Sequence, residues 1–177
     1  NEDFVNDSQS NFYIDSTHGV SFEYPLNWET REIGDIILFA ANFDYLDGLS
    51  DVPTSTELEG TLIYSIRQNL ENLTLQEFYD ANYEECMSKP VPEGADFGNM
   101  CRQVKLEEWI ASEIDGYSAY QSDWYGIPES GEMAKNFCVD LKGKGVFVCL
   151  SAIKTGLTDE ESIQKTAEDA FESLSID

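Results

Sequence analysis

The sequence predicts an α+β fold in which helices flank an antiparallel β-sheet. Three observations lead to this prediction: strand-like segments alternate with a period of two, two of them form a clear hairpin, and two helical segments begin with capping boxes. The 177 residues suit one domain of ordinary size. We expect a flexible tail rich in Asn, Asp and Ser over residues 1–12, followed by a single domain over residues 13–177.

The first predicted strand lies within the stretch Gly19–Trp28, which reads GVSFEYPLNW. Val20, Phe22 and Tyr24 occupy alternate positions, so they share one face of the strand. Pro25 ends the strand because it has no N–H group to donate to a neighbouring strand. The tryptophan that follows is a large apolar anchor for a core.

Three further strand regions follow. Residues 35–41 form a continuous apolar run, which is typical of a strand covered on both faces, and residues 61–66 form another strand. Residues 101–124 are expected to hold two strands, with a turn at Gly116.

Two helices are predicted from their capping boxes and apolar stripes. Thr74 with Glu77 opens the first helix, and Thr158 with Glu161 opens the second, because each pair satisfies backbone donors that the first turn leaves free. The stripe of the first helix consists of Leu75, Phe78, Tyr79, Tyr83 and Cys86. The stripe of the second consists of Ile163, Ala167, Ala170, Phe171 and Leu174.

Four segments together resemble the PsbP-like family: Gly19–Trp28, Ile114–Tyr120, the hairpin Phe137–Leu150 and the terminal helix Glu160–Ile176. The resemblance implies an α/β/α sandwich around an antiparallel sheet. It also implies a non-catalytic, exported binding or assembly module, since similar proteins include a photosystem extrinsic subunit, bacterial envelope lipoproteins and a nuclear import factor that binds a small GTPase. The cysteines and the strong acidity of this chain are not part of the usual family pattern.

The charge balance limits the partners that the chain can have. Thirty-five acidic residues face ten basic ones, for a net charge of −25. This composition argues against nucleic-acid binding and against attraction to an anionic membrane surface. It fits either a well-hydrated surface or a surface that binds a cation or a basic protein. No apolar run reaches the ~18 residues of a membrane helix, so no membrane span is expected, although an N-terminal leader or anchor could have been removed.

Four cysteines indicate the compartment. Their even number and wide spacing, with no C-x-x-C pair, fit two disulfides in a protein secreted, periplasmic or displayed at the cell surface. The alternative is a set of reduced, buried thiols. The cysteines are Cys86, Cys101, Cys138 and Cys149.

A hairpin that turns at Gly143 and Lys144 places Cys138 opposite Cys149. A two-residue turn would make them a hydrogen-bonded pair with Cα atoms about 5.5 Å apart, and a four-residue loop a non-hydrogen-bonded pair at about 4.5 Å. Both distances suit a disulfide. Cys86 and Cys101 would then form the second bridge.

His18 is the only histidine, which excludes a multi-histidine metal site and leaves one candidate base for a serine or cysteine nucleophile. Its position in the sequence STHG favours a turn instead. We therefore predict no catalytic residue, and a hydrolase of unknown substrate remains an alternative.

The sequence also predicts three further sites from weaker patterns. Carboxylates at Asp44, Asp47 and Asp51 could bind calcium in one loop, or they could form a solvated acidic loop. The aromatic pair Trp124 and Tyr125 could contact a protein partner or close the apolar face of the sheet. The N-glycosylation pattern occurs at Asn6 and Asn72.

Overall fold

The computed structural model describes residues 10–41, 43, 60–88, 109–127, 132–153 and 160–177. Within them the chain forms ten strands and two helices. The strands are β1 (Ser10–Asp15), β2 (Val20–Pro25), β3 (Glu29–Ile33), β4 (Ile36–Ala40), β5 (Thr61–Gln68), β6 (Trp109–Ile114), β7 (Tyr117–Ile127), β8 (Glu132–Leu141), β9 (Val146–Ile153) and β10 (Ser175–Ile176). The helices are α1 (Leu75–Ser88) and α2 (Glu160–Glu172).

The strands form two antiparallel sheets. The larger sheet has seven strands in the order β3-β4-β5-β9-β8-β7-β6, and the smaller has three in the order β1-β2-β10. The predicted antiparallel sheet is therefore present. Among the described residues, strands outnumber helices. The predicted helix-flanked sandwich has one sheet, whereas the structure has a second, smaller sheet as well.

The main core lies between the two sheets and α2. Val20 and Phe22 of β2 pack in it with Phe39 of β4, and the predicted stripe of α2 is buried there. Alternate residues of β9 face opposite sides of the large sheet, as strand geometry requires. Val148 faces the main core, whereas Phe147 faces a smaller cluster with α1.

The first capping box is present at the start of α1. The Thr74 N–H donates to Glu77 Oε2 at 2.8 Å, and the Glu77 N–H donates to Thr74 Oγ1 at 3.3 Å. Leu75 is buried, and Phe78 packs edge-on against Phe147 with 5.1 Å between ring centroids. The other three side chains of the predicted stripe, and the second capping box at Thr158, lie outside the described residues.

The N-terminal strand begins earlier than the expected tail allowed. β1 starts at Ser10 and pairs with β2 along its whole length. The Tyr13 ring packs against Phe22 with centroids 5.4 Å apart, and the Asn11 amide donates to the Leu26 carbonyl at 3.1 Å. Pairing with β2 and the Asn11 contact thus hold residues 10–12, which the polar composition places in a tail.

Candidate functional site

The β8–β9 hairpin contains the predicted disulfide. Leu141 pairs with Val146, so a four-residue loop closes the hairpin. Cys138 lies opposite Cys149 and is bonded to it, with 4.1 Å between Cα atoms. This is the four-residue alternative of the two that the sequence left open. The bridge is buried, and the second bridge predicted between Cys86 and Cys101 lies outside the described residues.

A buried carboxylate lies beside this disulfide. Asp140 follows Cys138 by two positions on β8, so both side chains point to the same face. The residue is 4% exposed, and its Oδ1 has no hydrogen-bond partner among the described residues. Burial raises the pKa of the Asp140 carboxyl, while Lys142, whose Nζ lies 3.9 Å from Oδ2, pulls it down less strongly.

The turn between β1 and β2 contains His18. Its Nδ1 lies 2.7 Å from Asp15 Oδ2. The backbone N–H groups of Thr17 and His18 donate to Asp15 Oδ1 at 3.0 and 3.1 Å. The Tyr64 hydroxyl of β5 donates to Asp15 Oδ2 at 2.7 Å. Asp15 therefore joins the turn, the histidine and the large sheet.

This arrangement changes the acidity of the groups involved. Burial pushes the pKa of Asp15 up, but hydrogen bonds from Tyr64 and His18 outweigh it and hold the pKa below 3.8. Burial, with the Asp15 charge and hydrogen bond, raises the pKa of Tyr64 far above its ordinary value. Burial and the carboxylate of Asp15 raise the pKa of Tyr13 to about 12.

Neighbouring segments fix the same turn from outside. The Lys144 ammonium donates to the His18 carbonyl at 2.5 Å, and the Asp177 N–H donates to the Gly19 carbonyl at 2.8 Å. Gly19 has φ +64°, and a Cβ there would lie 2.9 Å from the Asp177 carbonyl oxygen. His18 thus lies in a tightly packed turn, in which its ring contacts Asp15.

The outer face of the β1–β2 hairpin exposes apolar side chains. Phe12 and Ile14 of β1 are 66% and 69% exposed, whereas Tyr13 between them points into the core. The polar composition of residues 1–12 places Phe12 in the expected tail, and Ile14 follows it in the expected domain. The consecutive apolar residues Phe12, Tyr13 and Ile14 in SNFYID put apolar side chains on both faces of one strand.

The remaining predicted site residues are only partly covered. The acidic loop with Asp44, Asp47 and Asp51, and the first glycosylation site, lie outside the described residues. Trp124 and Tyr125 belong to β7, where the pairing with β8 shifts register between Ser122 and Tyr125, and their side chains are outside the description.

Asn72 is exposed in the turn before α1, where it adopts φ +53°, and its glycosylation stays a prediction. Within the described ranges no cluster of three or more His, Cys, Asp or Glu side chains could hold a metal ion. No helix in this part of the chain has both the length and the apolar character needed to cross a membrane.

Comparison with solved structures shows which known fold this chain resembles. Cyanobacterial PsbP (CyanoP) from Synechocystis sp. PCC 6803 superposes with a TM-score of 0.58, at 14% identity, over 98% of this chain and 96% of that one. This chain has a PsbP-like fold. At this identity the likeness concerns the fold alone.

Other solved structures match at lower TM-scores. A Bacteroides thetaiotaomicron structure matches with a TM-score of 0.51 at 12% identity, over 96% of this chain and 49% of that chain, so this chain spans about half of it. The Saccharomyces cerevisiae Ran-binding protein Mog1p matches with a TM-score of 0.49 at 10% identity over 96% of each chain, and we draw nothing from it. No protein-family model and no curated protein matches the sequence.

Proposed function

We propose that this protein is a non-catalytic binding module that engages a protein partner outside the cytosol. The observation that carries the proposal is the exposed apolar pair Phe12 and Ile14 on a strand of an otherwise strongly charged chain. Exposed apolar side chains on a rigid sheet are a common basis of protein recognition. The PsbP-like fold is compatible with this role.

The proposed location, as a secreted, periplasmic or cell-surface protein, rests on the cysteines. The Cys138–Cys149 bridge is buried in the cluster under α1. Disulfides of this structural kind persist in oxidising compartments and are rare in the cytosol. The acidic surface supports solubility there and suits a basic partner.

Affinity capture tests the proposed function. The tagged protein is incubated with envelope and extracellular extracts of the source organism at about 0.15 M salt, and retained proteins are identified by mass spectrometry. We expect one protein in near-stoichiometric amount, and the purified pair must reconstitute the complex. Failure of every retained protein to bind in purified form would contradict the proposal.

An activity screen addresses the competing hydrolase. It uses ester, peptide and glycoside substrates, with His18→Ala as the control for chemistry at the only histidine. Turnover by the wild-type protein that His18→Ala abolishes would overturn the non-catalytic proposal. Calcium binding by Asp44, Asp47 and Asp51 stays a prediction, and calorimetry with millimolar calcium tests it.

A further inference from the structure

We propose that the edge of β1 that faces away from β2 accepts an extended, basic segment of the protein partner as an added β-strand. This inference rests on the proposed function and names both the docking surface and the chemistry of its occupant. Addition of a strand to an open sheet edge is a recurring mode of peptide recognition, in which main-chain hydrogen bonds give affinity and alternate side chains give specificity.

The backbone of β1 is suited to pairing. β1 ends the order β1-β2-β10 within the described part of the chain, and its register with β2 runs without a shift from Ser10 opposite Pro25 to Asp15 opposite Val20. Natural edge strands are usually protected by lysine, proline, a bulge or short length. The sequence of β1, SNFYID, contains neither lysine nor proline, and the strand is six residues long.

The side chains of the edge are also suited to a partner. Phe12 and Ile14 lie two positions apart on the outward face, so an added strand would place its own alternate side chains beside them. In the register of β2, Phe12 lies opposite Glu23 and Ile14 lies opposite Ser21. The surface is therefore an apolar pair at the edge, bordered by a carboxylate.

The inner face of β1 holds this edge in place. The Tyr13 ring packs against the rings of Phe39 and Tyr64, with centroids 5.4 and 5.0 Å away. Asp15 at the end of the strand accepts the hydrogen bond from Tyr64 at 2.7 Å. A strand that is already ordered loses little conformational entropy when a partner pairs with it.

Charge decides between a second copy of this chain and a different partner. Each copy has a net charge of −25, so two copies would repel at an edge-to-edge contact. On the outer face of the same hairpin, Glu23 of β2 adds a carboxylate, which accepts a hydrogen bond from the Ser10 hydroxyl at 2.5 Å. A segment with apolar residues alternating with lysine or arginine places its apolar side chains beside Phe12 and Ile14, while its positive charge is attracted by the net negative charge of the chain.

The test uses a capped heptapeptide of alternating lysine and valine as the probe. The control is a peptide of the same sequence and charge in which every inner amide is N-methylated, so that its backbone cannot donate hydrogen bonds to a strand edge. We measure affinity by calorimetry at about 0.15 M salt and follow amide hydrogen exchange of β1 by NMR. We expect the unmodified peptide to bind at least about tenfold more tightly and to protect alternate β1 amides, those that point away from β2.

Two variants locate the binding surface without changing the charge. Phe12→Thr/Ile14→Thr removes the apolar pair with residues that suit strands, and we expect about tenfold weaker peptide binding. Ile110→Thr is the matched control, since Ile110 is 55% exposed on β6, which ends the large sheet in the described part of the chain. We expect the control to change affinity by less than about twofold.

The outcomes separate the inference from the proposed function. Equal binding of the N-methylated peptide, or unchanged binding by the double threonine variant, overturns the edge proposal. Sedimentation could also show that the wild-type protein dimerises and that the double threonine variant does not. That result would identify a second copy of this chain as the occupant and would overturn the proposal of a basic partner segment. If the captured partner binds the double variant normally, the edge proposal is wrong and the binding module stands. Absence of any reconstitutable partner contradicts the proposed function itself.

Discussion

Two strands at sheet edges, β1 and β3, expose different kinds of side chain to solvent. Both end their sheets within the described residues. β3 presents the exposed charges of Glu29 and Glu32 beside Ile33, which is 51% exposed, and its Arg31 guanidinium lies 4.3 Å from the centroid of the Phe43 ring. β1 instead presents Phe12 and Ile14, with no charge between them on the outer face. Two strands at equivalent positions in their sheets therefore differ in side-chain chemistry, which is the property that protects an edge or leaves it suited to pairing.

The inner faces of the two strands differ as well. Four of the five residues of β3 are exposed, so its attachment depends mainly on its pairing with β4. β1 has one apolar face in the core and another in solvent. Five predictions test this comparison, from the interior of the hairpin to its surface.

The largest effect is expected at the interior of the hairpin. Phe22 is fully buried, and we expect Phe22→Ala to lower the free energy of unfolding by about 3–5 kcal/mol, because it removes apolar contacts and leaves a cavity. The matched control Phe12→Ala concerns the same residue type at 66% exposure and should cost less than about 1 kcal/mol. Denaturant unfolding measures both, and equal losses would contradict the assignment of inner and outer faces.

The anchor between β1 and the large sheet comes next. Tyr64→Phe removes the hydroxyl that donates to Asp15, and we expect a loss of about 2 kcal/mol at pH 7, since the acceptor is a charged carboxylate. A loss confined to the hairpin should also appear as faster amide exchange in β1. A variant with wild-type stability and exchange would show that the inner face does not depend on this bond.

The same anchor predicts a pH dependence. The pKa of Asp15 is lowered in the folded protein, so its contribution to stability is present above the unfolded pKa of about 3.9 and is lost as pH falls through the folded pKa. The difference in stability between wild type and Tyr64→Phe should therefore shrink in acid. Denaturant titrations at pH 7 and at about pH 3 measure it, and a difference that grows in acid would exclude this coupling.

A smaller effect is expected on the charged edge. Arg31→Ala removes the cation from the Phe43 ring, and we expect β3 to lose about 0.5–1 kcal/mol of stabilisation. Arg31→Lys keeps the charge and should retain part of it, because lysine lacks the planar guanidinium. Thermal unfolding compares the three proteins, and equal midpoints would show that the contact contributes nothing to stability.

The smallest effect on stability is expected at the apolar edge. Phe12→Lys/Ile14→Lys should change the free energy of unfolding by less than about 0.5 kcal/mol per position, since both side chains are largely in solvent. The variant should bind less of a fluorescent apolar dye. The reverse change Glu32→Val on β3 should increase dye binding. If neither variant changes dye binding, the exposed side chains do not account for a difference between the two edges.

Local patterns in the sequence predicted several elements well. The apolar run over residues 35–41 became β4, and the capping box at Thr74 marks the start of α1. The hairpin register placed Cys138 opposite Cys149, because antiparallel pairing follows directly from loop length. Each of these depends on residues that are close in sequence.

The small sheet could not be predicted in the same way. β10 is two residues long, too short for a periodic pattern, and it pairs with β2 at the other end of the sequence. The contact between Asp15 and Tyr64 joins residues 49 positions apart, and no local motif indicates it. Local sequence shows apolar residues on both faces of β1, but only the tertiary fold decides which of the two faces is buried.

The pairing of β2 with both β1 and β10 has a consequence for synthesis of the protein. β1 and β2 leave the ribosome before the other described strands, whereas Ser175 and Ile176 leave it after them. The hairpin must therefore wait until α2 and β10 have been synthesised before its second neighbour and the cover of α2 are available. During that interval the edge of β2 that later pairs with β10 is open, and we expect chaperones to recognise it in a nascent chain halted before α2.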